Sequence, residues 1–208
     1  MIVGVVLAAF LLVGAVVVAT GVVTLGARNG GGVHEISIPD TAAGRPRDPS
    51  GESNAMLQTW IAKHKQVIRQ ASDNKITDIR YGLYGRGHDR YLFVGGTGKA
   101  DPGNLPPEFS RAVNQILPST KLVKNLVTIP SAAPDGNAVC VRIRYGDPKL
   151  ARLAPGATSI CAWATTTSFG VVQPAGHPDF TAMLWQPTSI DHTTVVAVMR
   201  DIRADVED

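Results

Sequence analysis

The hydrophobic pattern divides the chain at once. From Ile2 to Leu25 there is no charge, amide or proline. As a helix, roughly 24 residues at about 1.5 Å each reach about 36 Å, enough to cross a hydrocarbon core of about 30 Å with some tilt. A helix satisfies its own backbone polar groups in lipid, so residues 1–27 are expected to be a transmembrane anchor that contacts the bilayer through residues 2–25. A cleaved secretory signal is the rival reading. Its apolar region normally runs about 7 to 15 residues behind a basic start. This run is longer and has no basic side chain ahead of it, so a retained anchor is expected.

Residues 28–52 are dominated by Gly, Pro and polar side chains without helical period, which predicts a juxtamembrane linker with one short extended piece at His34 to Ile38. Residues 53–208 then read as one domain. From Ser53 to Ala71, Met56, Leu57, Trp60, Ile61, His64, Val67, Ile68 and Ala71 share one side of a helical wheel. Gln58, Lys63, Lys65, Gln66, Arg69 and Gln70 take the other. Ser53 is the expected N-cap. His64 lies mid-stripe, so it should be buried under a sheet and held by a backbone partner. Ile79, Tyr81 and Leu83 alternate with polar residues and Gly; GRGHDR turns the chain, and Tyr91 to Val94 return as a second strand. Pro106 and Pro107 announce a second helix ended by Pro118, and Leu122 to Ile129 form another strand.

The strongest strand pattern is Ala138 to Tyr145 followed by Thr158 to Thr167. Placing Cys140 opposite Cys161 in an antiparallel pair puts Val139, Val141, Ile143, Ile160, Ala162 and Ala164 on one side. Pairing and hydrophobic pattern therefore agree, and a disulfide is expected in an oxidising compartment. Opposed Cβ atoms lie about 4.5–5.5 Å apart in a sheet, somewhat wider than a disulfide prefers, so a local adjustment is needed. Phe169 to Gln173 add a strand, and a helix from Ser189 or Asp191 places Val195, Val198, Met199, Ile202 and Val206 on one face. The fold class is α+β: an N-terminal transmembrane helix, then one antiparallel sheet packed by about three helices.

Composition sharpens location more than chemistry. The 208 residues are 44% hydrophobic and 18% charged, which excludes wholesale disorder. Every Lys, Arg, Asp and Glu lies beyond Ala27. Only Arg28 flanks the apolar run closely, a thin bias towards a cytoplasmic body by the positive-inside rule. The two cysteines outweigh it, so the domain is expected on the outer side of the cell membrane. The net charge of +3 is modest, and Arg142 and Arg144 share the face of Cys140. They are expected to form a solvated face, with anionic lipid or wall polymer as the functional alternative. Nucleic acid is not an expected partner.

Several phrases together resemble a group of actinobacterial single-pass membrane proteins of uncharacterised function: HEISIPDTAAGRPRD, FVGGTGKADP, the hairpin of Cys140, CAWATTTSFGVV and MRDIRADVE. The resemblance implies a cytoplasmic tail, one membrane helix and an extracytoplasmic domain, and it carries no activity. This sequence departs from the group by lacking the tail and by having Thr165 where an acidic residue commonly follows CAWA.

Catalytic signatures fail on spacing. VGGTGKAD invites a phosphate loop, but Phe93 stands at the first required Gly and Ala100 at the magnesium-binding hydroxyl. His34, His64, His88, His177 and His192 show no metal-ligand spacing, so neither a metal nor another cofactor is expected. Ser168 lies in no nucleophile elbow and reads as a turn residue. For an enzyme, the polar-loop pairs His88 with Asp89 and His177 with Asp179 are the remaining candidates. The sequence thus predicts a membrane-anchored binding domain, with Arg142, Arg144, His88 and His177 as its candidate face and an envelope protein or wall polymer as its partner. An envelope hydrolase or transferase, and an accessory subunit of a membrane complex, are the alternatives.

Overall fold

The computed structural model describes residues 34–117, 122–129, 135–147, 149, 157–175 and 190–207. The expected anchor and the pair His177 and Asp179 lie outside these residues. Among the described residues no helix is long and apolar enough to cross a membrane.

The domain is α+β. A small hairpin of β1 (Thr41–Ala42) and β2 (Arg45–Pro46) leads through the short helix α1 (Pro49–Glu52) to α2 (Ala55–Ala71). Then come β3 (Ile76–Arg86), β4 (Asp89–Gly98), a 3-10 turn at Pro102–Asn104, α3 (Leu105–Ile116), β5 (Leu122–Ile129), β6 (Asn137–Tyr145), β7 (Ala157–Ala164), β8 (Ser168–Pro174) and α4 (His192–Val206). Six strands make one antiparallel sheet in the order β3-β4-β8-β7-β6-β5. Asn54 caps α2 in place of the expected Ser53, accepting from the backbone N–H groups of Met56 and Leu57. Residue 53 is taken up by the end of α1, which moves the cap one position along.

Both faces of the sheet are buried over its central strands. On one, α2 and α3 press Leu57, Ile61, Val67, Phe109 and Val113 onto Leu83, Leu92, Val94, Val139, Val141, Ile160 and Val171. On the other, α4 presses Val195, Met199, Ile202 and Val206 onto Tyr84, Phe93, Cys140, Cys161, Trp163 and Val172. The second core explains the near-absence of polar side chains in CAWA. Trp163 stacks on Phe93, with ring centroids 5.7 Å apart and planes 8° from parallel. Its ring lies flat across the strand because the opposed residue is Gly170, where a Cβ would fall 2.2 Å from the indole.

Cys140 and Cys161 are directly opposed and bonded. Their Cα atoms are 4.0 Å apart, closer than the about 4.5 Å of an ordinary non-hydrogen-bonded pair, which is the local adjustment that the pairing requires. The bridge is buried under α4 and helps build the second core.

Residues 34–52, expected as part of a linker, pack onto the domain. Ile36 is buried and bridges Glu207, Ser37 N–H donates to Val206 O at 2.8 Å, and Ala43 N–H donates to Asp205 Oδ2 at 2.7 Å. Composition misleads here because Gly and Pro shape tight turns as readily as loose connectors. Ala43 and Gly44, with φ of 52° and 68°, form such a turn between β1 and β2.

The 21-residue separation of the cysteines gives a disulfide worth about 3 kcal/mol in the chain-entropy model. The double variant Cys140→Ala/Cys161→Ala is expected to lose about that much stability in urea unfolding. The wild type under reductant should approach the variant, and coincident curves in oxidising buffer would contradict the assignment.

Candidate functional site

The residues with chemical potential fall into four groups, and the sheet sets the distance between them. The largest joins the two ends of the described domain. Glu207 follows the last turn of α4, and its carboxylate enters the sheet face at the β7–β8 turn. Trp163 Nε1–H donates to Glu207 Oε1 at 2.6 Å, and the Ser168 hydroxyl donates to the same oxygen. Arg203, one helical turn back, donates through Nε to Glu207 Oε2 at 2.5 Å and through Nη2 to Asp135 Oδ1 at 2.8 Å. His34 Nε2 lies 2.7 Å from Asp135 Oδ2, and His34 N–H donates to Thr167 Oγ1 at 2.9 Å. Burial disfavours charge on both Arg203 and Asp135, yet their partners win. The carboxylates raise the Arg203 pKa, and Arg203 and His34 lower that of Asp135.

This group holds Ser, His, Asp and Glu, and its one serine–carboxylate contact, Ser168 to Glu207, is closed off from solvent. Ser168 is fully buried, and its hydroxyl also meets Thr165 Oγ1 at 2.8 Å. His34 faces Asp135, not Ser168. The arrangement is a clasp that fastens the first described residues, the β7–β8 turn and the end of α4 to one another. Its members are distant in sequence, and only Arg203 and Glu207, four apart on one helix, carry a sequence signal.

The second locus is His64, fully buried between α2 and the sheet. Its partner is the side chain of Gln173 on β8, at 2.7 Å from Nε2, instead of the expected backbone group. A strand within a sheet commits its carbonyls to its neighbours, which leaves a side-chain amide as the available acceptor. With the Gln173 carbonyl accepting from Nε2–H, Nδ1 is left buried without a partner. A proton there would be a buried donor with nothing to bond. Burial, opposed by the Gln173 bond and aided by Lys63, lowers the pKa from 6.5 to about 4.

The third locus is the β3–β4 turn. Gly87 takes a left-handed φ of 54°, and His88 stands exposed at the tip. Asp89, its candidate partner, is held by Arg45 through two bonds of 2.9 Å. The carboxylate is thus committed to closing the β1–β2 hairpin onto the sheet.

The fourth locus is β6 and its outer neighbour. Arg142 and Arg144 are exposed on one face, opposite Asn125 and Val123 of β5. Neither makes an ion pair among the described residues. Arg45, Arg47, Arg80, Arg90, Arg111 and Arg203 are paired, and Arg69, Arg86 and Arg200 stand exposed singly elsewhere on the surface. Three inter-strand steps separate β6 from β4, about 14 Å, so His88 belongs to a different part of the surface. Among the described residues no group of three or more His, Cys, Asp or Glu could hold a metal ion.

Comparison with family models, curated proteins and solved structures returned no match.

Two predictions separate structural from chemical roles. Removing Glu207 leaves Arg203, whose side chain is only 11% exposed, with Asp135 alone and strands the donors of Trp163 and Ser168, so Glu207→Ala should cost about 3 kcal/mol in chemical denaturation. Ser168→Ala, which removes one hydroxyl from the clasp, should cost about 1 kcal/mol. Loss of a cellular phenotype in Ser168→Ala at unchanged stability would overturn the clasp.

His64 gives the pH dependence. The fold requires it neutral, whereas the unfolded side chain takes a proton near pH 6.5. Its contribution is full above that pH and is lost as pH falls towards 4, by about 3 kcal/mol over the window. His64→Met should flatten this part of the stability profile, even though its baseline drops because Gln173 loses its partner.

Proposed function

We propose that this chain is a partner-binding domain held on the outer side of a cell membrane by a helix at residues 2–25. The observation that carries the binding reading is the pair Arg142 and Arg144. They are solvent-exposed, two residues apart on one strand face, and unpaired among the described residues, and neither their strand nor its outer neighbour contains an acidic residue. Two like charges left together in solvent favour an anionic partner and guide its approach. Support for the outer location comes from the Cys140–Cys161 bond, since such bonds persist in oxidising compartments. The apolar run from Ile2 to Leu25 supports the anchor. Membership of the actinobacterial single-pass group belongs to the same proposal.

The test is made in cells carrying the full chain. A photo-crosslinking residue at Asn125, exposed beside Arg142, should capture a discrete partner, and Arg142→Glu/Arg144→Glu should abolish the capture. Protease added to intact cells should remove the domain, and thiol reagents should modify neither cysteine before reduction. Recovery of an uncrosslinked monomer alone would sink the binding reading. Protection from protease together with labelled thiols would sink the location.

A further inference from the structure

The two outer strands of the sheet are treated differently by the fold. An edge strand presents a row of backbone N–H and C=O groups that another chain can pair with, and proteins usually blunt it. At β3 the blunting is visible. Arg47 forms an antiparallel bridge with Tyr84, Asp48 N–H donates to Leu83 O at 2.7 Å, and Leu83 N–H donates to the Glu52 carboxylate at 3.2 Å. Its first half carries Asp78 and Arg80, paired to each other at 2.6 Å, and a register shift between Ile76 and Asp78.

The strand β5 has only one of these devices, a single charge. It pairs with β6 without interruption from Leu122 to Ile129, contains no proline, and carries one charge, Lys124. Among the described residues nothing pairs with its outer side. Leu126, 41% exposed, is the one large hydrophobic side chain classed as exposed among the described residues, and it lies at the middle of this strand.

The charges select the occupant. Neither β5 nor β6 contains an acidic residue, and Lys124, Arg142 and Arg144 are all basic. A second copy pairing edge to edge would bring basic strip against basic strip. Resting on the binding reading above, we infer that the β5 edge is a strand-addition site for an extended acidic segment of a partner protein. The added strand would hydrogen-bond along β5 and lie about 10 Å from β6, two inter-strand spacings of about 4.8 Å. An extended Arg and an extended Glu side chain span that distance together, and between them stand only the short side chains of Val123 and Asn125. The recognised segment therefore has acidic residues at i and i+2 facing Arg142 and Arg144. On its other face it has apolar residues beside Leu126 and the aliphatic stem of Lys124.

The experiment uses the full chain in phosphatidylcholine nanodiscs and three labelled ten-residue peptides. One alternates Glu and Val, one alternates Lys and Val, and one keeps the Glu positions but has proline at two of the Val positions. The Glu/Val peptide should bind and slow hydrogen exchange of the β5 amides. Arg142→Glu/Arg144→Glu should weaken it about ten-fold or more, as should high salt. The Lys and proline peptides should bind at least about ten-fold more weakly, because one loses the charges and the other the backbone donors. Should the double reversal fail to fold, Arg142→Gln/Arg144→Gln reads the same loss at reduced size.

Five results would overturn the inference. Equal binding of the proline peptide would make the surface a charge patch only, and undiminished binding by the double variant would remove the arginines from it. Amides of β5 already protected without peptide would mean that this chain covers its own edge. Binding to phosphatidylglycerol vesicles in preference to every peptide would assign the arginines to lipid. Peptide failure alongside partner capture through Asn125 would remove strand addition and leave the binding function standing; failure of both would remove both.

Discussion

In an antiparallel sheet buried on both sides, register decides everything else. A slip of one residue between β6 and β7 would exchange Val139, Val141 and Ile143 for Cys140, Arg142 and Arg144 under α2 and α3. Two arginines would then face an apolar core, at several kcal/mol each, a cost comparable to the whole net stability of a small domain. The Cys140–Cys161 bond permits one register, in which both cores are apolar at once. The hydrophobic pattern asks for the same register. Local chemistry and global packing agree, which is the condition for a single native state.

The second core then needs a lid, and α4 is its only helix among the described residues. One helix cannot cover a six-stranded face unless its end is fixed. Glu207 supplies the fixing by meeting Trp163 and Ser168 on neighbouring strands while Arg203 balances its charge. Desolvating that pair is costly, so its worth lies in geometry more than in net stabilisation. The indole cannot lie on Gly170 and donate to Glu207 unless α4 ends in the right place. Ile36 and Ser37 run against the same helix end, so the segment expected as a linker is part of the lid.

The parts legible in the sequence are those in which one periodicity speaks for itself. The helix stripes of α2 and α4, the strand at Leu122–Ile129 and the Cys140–Cys161 register all appear as the pattern predicts. The packing of residues 34–52 is not legible in the sequence, because Gly and Pro signal a turn without saying what the turn packs against. The second core was not foreseen as such, since alternation identifies one buried face and is silent on whether the other is solvated. His64 was placed correctly and its partner was not, because Gln173 is 109 positions away. The clasp joins four segments in the same way, and beyond the pair Arg203 and Glu207 no local spacing could assemble it. Arg142 and Arg144 were legible as a pair, but their meaning depends on β5 being the last strand, which is a fact of topology.

That topology gives the surface its asymmetry. The edge at β3 is sealed by residues that also hold the β1–β2 hairpin, so its protection comes with the packing of the segment before α2. At β5 the last paired partner is β6, and Asn125, Leu126 and Thr128 face solvent. Sealing this edge would have required only a proline or a bulge, changes that cost little on an outer strand. Repulsion among Lys124, Arg142 and Arg144 would oppose pairing with another copy of the same chain, and under the proposed strand addition the same charges would favour a strand of opposite sign. An edge that is uninterrupted, apolar at its centre and positive at its flank would then combine the two halves of specificity, attraction for one partner and exclusion of another.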